Sequence, residues 1–156
     1  MRLTAITAAV ALTAGVAFAE TVAPDNVAFD EYGAVEVSLT GTPGNAENGA
    51  KVMTDRGLGN CVACHVVSAL SADFQGEVGP SLDGVGGYRS EAELRGVLVN
   101  AKKMFDGTVM PAFYKVSGFI RPGDGYTGKA ATEITPILSA QEIEDVVAFL
   151  MTLKDS

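Results

Sequence analysis

Three stretches of this 156-residue chain place apolar residues at helical spacing, each behind a recognisable start signal. The first predicted helix runs from Ala46 to Arg56, with Asn45 as N-cap and Gly57 as stop, and sets Gly49, Val52 and Met53 on one face. The second opens at Ser90 with Glu93 three residues on, a capping box. Its apolar face carries Leu94, Val97, Leu98 and Ala101 and continues to Met104 and Phe105. The third opens with the capping box of Ser139 and Glu142, and Ile143, Val146, Val147, Leu150 and Leu153 form its stripe before Lys154.

Outside these helices the pattern changes. Alternation over Val35-Glu36-Val37-Ser38-Leu39 predicts one short strand, and Phe113 to Pro136, rich in Gly, Thr and Pro, predicts a long ordered loop. At the start, Arg2, the apolar run Leu3 to Val16 and the small-residue site Ala17-Phe18-Ala19 read as a cleaved secretory signal peptide over 1–19. That run is short beside the roughly 20 apolar residues of a membrane span, so no membrane anchor is expected. The expected organisation is therefore an N-terminal extension at 20–44 and one domain at 45–156, exported to the periplasm. Without Arg2 the chain keeps 10 basic and 19 acidic residues, a net charge of −9. Such a surface argues against nucleic acid and anionic lipid as partners.

The candidate chemistry is concentrated at Cys61-Val62-Ala63-Cys64-His65, which holds both cysteines and the single histidine of the chain. Cys-x-x-Cys-His is the attachment signature of a c-type haem. The thiols add across the two vinyl groups as thioethers, and the adjacent imidazole is placed to bind the iron. A thioredoxin-like dithiol would need a strand–helix alternation that this chain lacks, and a structural zinc site would need a fourth ligand. A disulfide would leave His65 without a role. The fold class expected is all-α, with helices and long loops packed around one covalent haem c.

With histidine and cysteine used up, methionine is left as the second axial ligand. Met53 and Met151 fall in predicted helices as core residues, and Met104 continues a helical face. Met110 stands in a loop with Pro111 behind it, which makes it the first candidate and Met104 the second.

Gly79-Pro80-Ser81-Leu82-Asp83-Gly84-Val85-Gly86-Gly87 resembles the Gly-Pro-x-Leu-x-Gly-x-x-Gly segment of class I cytochromes c. The resemblance implies that the Pro80 carbonyl accepts Nδ1–H of His65, that Leu82 packs on the haem, and that Gly49 lets the Phe149 ring cross close to the first helix. From about Asn45 onward, the haem motif, Val109-Met110-Pro111-Ala112-Phe113-Tyr114 and the tail from Leu138 to Lys154 resemble the SoxX family, monohaem c-type subunits of SoxAX complexes. That resemblance implies a SoxA-like dihaem or monohaem partner, on which thiosulfate is coupled oxidatively to a cysteine of the Sox carrier protein. The enzyme is then an L-cysteine S-thiosulfotransferase with its catalytic haem and cysteine on the partner. It implies also a small soluble cytochrome as electron acceptor. No catalytic residue is expected in this chain, and the alternative is a free-standing diffusible cytochrome c. An extension at 20–44 that packs on a partner would favour the subunit.

Overall fold

In a computed structural model the described residues are 20–154, so the expected signal peptide at 1–19 lies outside them. The described chain contains helices α1 (Ala46–Thr54), α2 (Val85–Tyr88), α3 (Glu91–Asn100) and α4 (Ala140–Leu150), with short 3₁₀ turns and no strand. None of these helices is long and apolar enough to cross a membrane.

Both capping boxes form. The Ser90 and Ser139 side chains accept from the Glu93 and Glu142 amides, and each glutamate returns a bond to the cap backbone. Asn45 caps α1 by accepting from the Asn48 amide. The stripe of α4 is buried from Ile143 to Leu150, and Leu153 stays buried in the turn beyond the helix. All three expected helices stop slightly early. The second ends at Asn100 and tightens into a 3₁₀ turn at Ala101–Lys103, so Met104 and Phe105 lie past it.

α1 crosses α4 at Gly49, where a Cβ would run into the Asp145 carbonyl group and lie 2.9 Å from Cβ of Phe149. The tightest contact is thus with the backbone of α4 rather than with an aromatic ring. Asp145 then ties the crossing together: Oδ1 accepts from the Asn45 amide at 2.8 Å and Oδ2 from Asn48 Nδ2 at 2.7 Å.

α3 meets α4 through a buried ion pair. Arg95 Nε and Nη2 donate to Glu144 Oε1 and Oε2 at 2.9 and 3.0 Å, with both side chains 5 % exposed. Arg95 Nη2 also lies 3.8 Å from Glu91 Oε2 on its own helix, and both members of the pair bond the N-terminal extension. Arg95 Nη1 donates to the Val35 carbonyl at 2.9 Å, and Glu144 Oε1 accepts from the Leu39 amide at 2.7 Å.

The extension is therefore part of this domain. Ala34, Val35 and Leu39 are buried, and Val35 N–H donates to the Ala92 carbonyl at 3.0 Å. No strand forms at 35–39 because the segment bends at Val37, which is 68 % exposed between buried Val35 and Leu39. Its backbone bonds go to a helix and to charged side chains instead of to a neighbouring strand. Farther along, 113–136 is irregular as expected, with one isolated bridge between Gly123 and Ala130.

Candidate haem site

The thiols and the imidazole are presented by one turn. Asn60 takes a left-handed conformation (φ 45°), which asparagine tolerates better than most residues, and the 3₁₀ turn Cys61–Ala63 follows. His65 N–H donates to the Cys61 carbonyl at 3.0 Å, so residues 61, 64 and 65 stand at helical spacing on neighbouring positions. Cys61 is buried and Cys64 exposed. Burial pushes the Cys61 thiol up to about 11. A redox dithiol needs a thiolate at neutral pH, and burial disfavours one at Cys61.

The Gly-Pro segment is laced along the far side of this turn. Gly76 N–H donates to the Val62 carbonyl at 2.9 Å, Gly79 N–H to the Cys64 carbonyl at 2.8 Å, and Leu82 N–H to the Val66 carbonyl at 2.9 Å. Asp83 closes the run, accepting from the Ser68 amide and hydroxyl at 2.8 and 2.7 Å. Those bonds from Ser68 hold the Asp83 carboxyl below its usual pKa.

Held this way, the Pro80 carbonyl oxygen lies 2.7 Å from His65 Nδ1. A carbonyl only accepts, so the ring proton sits on Nδ1 and the Nε2 lone pair is free for a metal. A Cβ on Gly79 would lie 2.6 Å from Nδ1 and 2.7 Å from Nε2, inside the imidazole. The bare glycine is the cradle in which the ring rests. Leu82 is partly buried against the core.

The methionines separate by environment. Met53 is fully buried in the core beside α4, and Met151 packs against the same cluster. Met104 Sδ lies 3.9 Å from Arg89 Nη1, which is its polar partner. Met110 lies in the loop beyond α3, partly buried against the core, and its sulfur has no hydrogen bond among the described residues. The structure brings His65 and Pro80 into contact and leaves Met110 as the methionine with a loop position and an uncommitted sulfur.

The residues present fit a covalent haem. Two thiols sit beside an imidazole with its outer nitrogen engaged, a glycine makes room for the ring, and a soft thioether stands free. The family model for cytochrome c matches residues 46–154.

The chain belongs to the cytochrome c family.

It carries a covalently bound haem c, and its cytochrome fold is helical with long loops. The crystal structure of SoxXA from P. pantotrophus is similar to this cytochrome at 59 % identity and a TM-score of 0.82, over 86 % of this chain and 99 % of that one. The likeness places this cytochrome with the SoxX subunits. The comparison with curated proteins returned no match.

Three features of the site lie outside the residues singled out in the sequence. Gly79 enters the sequence reading only as part of the Gly-Pro segment, and its contact with the imidazole needs the folded chain. Gln75 accepts from the Val67 amide and donates to the Leu70 carbonyl at 3.0 Å, fixing the loop after His65. A lone glutamine in a loop carries no signal for that. The short helix α2 leaves no periodic signal, because two of its four residues are glycine.

Proposed function

We propose that this cytochrome is the electron-transfer subunit of a SoxAX-type complex in the periplasm. The complex couples thiosulfate oxidatively to a carrier-protein cysteine, and this subunit accepts the electrons released. The observation that carries the reading is the match to SoxXA along nearly the whole of one of its chains.

Cys61 and Cys64 would hold the haem as thioethers, and His65 Nε2 and Met110 Sδ would be the side-chain ligands to its iron. Once bound, the haem supplies one-electron redox chemistry, at a potential that His/Met ligation raises above that of a bis-His site. Pro80 fixes the ring proton on Nδ1 and so keeps Nε2 directed at the metal; contacts of this kind are worth roughly 10–100-fold in affinity or activity at metal sites. Gly79 leaves room for the ring, and Leu82 would pack on the haem.

With His65 and Met110 as the iron ligands and both cysteines holding the haem, the chain would offer no open metal position and no persulfide-forming thiol. Substrate chemistry falls to the partner, a SoxA-like dihaem or monohaem cytochrome. A small soluble cytochrome is the electron acceptor, and the Sox carrier protein is met only through the partner.

Reconstitution tests this division of labour. The purified holoprotein alone should be reducible yet should not turn over thiosulfate with a carrier-protein thiol, and turnover should begin when a SoxA-like haem protein is added. Equal turnover with and without this cytochrome would overturn the reading.

A further inference from the structure

The loop that carries Met110 hangs from the C-terminal end of α3. A helix leaves its last carbonyls without partners, and here Phe113 N–H takes the Leu98 carbonyl at 3.1 Å while Tyr114 N–H takes the Val99 carbonyl at 3.3 Å. Those bonds fix the chain after Met110. On the near side Asn100 turns its side chain back to accept from the Lys102 amide at 3.3 Å, which sets the start of the loop.

Met110 itself lies between these two anchors, in a stretch with no ladder of its own. Pro111 has no N–H to offer. The Met110 backbone is nonetheless bonded on both sides: its N–H donates to Thr108 Oγ1 at 3.2 Å, and its carbonyl accepts from Lys102 Nζ at 2.8 Å. The neighbouring Lys103 points elsewhere, with its ammonium 5.7 Å from the centre of the Phe29 ring. Lys102 is thus the side chain that closes the loop, joining its first residues to the methionine at its end.

We propose that Lys102 is a positioning residue for the Met110 ligand, holding the Met110 carbonyl so that the thioether stays directed at the iron. This rests on the assignment of Met110 as axial ligand. The bond is charge-assisted, yet it is exposed and so worth little to global stability. Its effect is local: without it the loop opens more often, and an added ligand competes better for the iron.

The test is imidazole titration of the ferric holoprotein, followed by loss of the methionine-to-iron charge-transfer band. Lys102→Ala should bind imidazole about 1.5–5-fold more tightly than the parent, on the scale of one exposed charged bond. Lys102→Arg keeps a charged donor of similar reach and should return the affinity to near the parent value. The denaturant midpoint should stay unchanged in both. Unchanged imidazole affinity in Lys102→Ala, or equal shifts in the Ala and Arg variants, would overturn the proposal, and so would an affinity change matched by a fall in the midpoint. Met110→Ala separates the two levels of the argument. Loss of the band there together with a silent Lys102→Ala defeats the clamp alone, whereas a band that survives Met110→Ala defeats the ligand assignment and the clamp with it.

Discussion

Gly79 shows how little space the proximal side of the site leaves. A methyl group there would overlap three atoms of the His65 ring, and the ring cannot retreat without giving up the Pro80 carbonyl. Overpacking of this kind costs about 1–3 kcal/mol when side chains can shift, and here the shift is directed against the metal bond. Gly79→Ala should lower the melting temperature of the holoprotein and weaken the methionine-to-iron band, whereas Pro80→Ala should leave the band nearly intact because its carbonyl remains. Absorption spectra and thermal melts of the two variants check this, and a silent Gly79→Ala would show that the segment relaxes freely. At this scale the sequence was informative where chemistry is written in residue type. The thiols and the imidazole could be named from spacing, and a methionine followed by proline could be offered as a candidate ligand. Gly79 and Gln75 could not, because their roles are contacts across a fold rather than chemistry of their own.

The elements form where local signals agree with packing. The capping boxes at Ser90 and Ser139 start their helices as expected, since cap bonds and apolar stripes are both local in sequence. The strand expected at 35–39 fails for the opposite reason: alternation is a local pattern, but a strand needs a partner, and this segment meets helices. Arg95 and Glu144 decide its path instead. Loss of 20–44 would strip Val35 and Leu39 from the core and leave the ion pair with two fewer backbone partners. Burial of two such side chains is worth about 3–6 kcal/mol, a large share of a domain's 5–15 kcal/mol. Deletion of 20–44 should therefore lower the melting temperature by roughly 10–30 °C, and an unchanged melt would contradict the packing described. The deletion thus changes the stability of the haem domain itself and is no clean probe of partner docking.

The junction of α1 and α4 also has a pH signature. Burial works to raise the Asp145 pKa, but the bonds from the Asn45 amide, Gln141 and Asn48 outweigh it, and the carboxyl sits below its usual value. A carboxyl with a depressed folded-state pKa stabilises the fold above its unfolded pKa of about 3.9 and loses that contribution as pH falls through the folded value. Asp145→Asn should lower the denaturant midpoint at neutral pH and lessen its decline below about pH 4. Parallel acid profiles for parent and variant would show that Asp145 does not carry this linkage.

For the whole molecule, the long loops and the extension wrap a small set of helices, and the haem motif lies where loop and helix ends converge. The extension packs on its own α3 and α4, contacts that a lone cytochrome could make as well. Its order therefore says nothing in favour of a complex, and the case for one rests on the likeness to SoxXA. The central claim is that this cytochrome works as a subunit and not as a free carrier. The native mass of the haem protein, measured by gel filtration with light scattering on periplasm under gentle conditions, tests it most directly. The expected result is a stable heterodimer with a second, SoxA-like haem protein. A monomer that ignores a SoxA-like protein and delivers electrons to a terminal oxidase would contradict it.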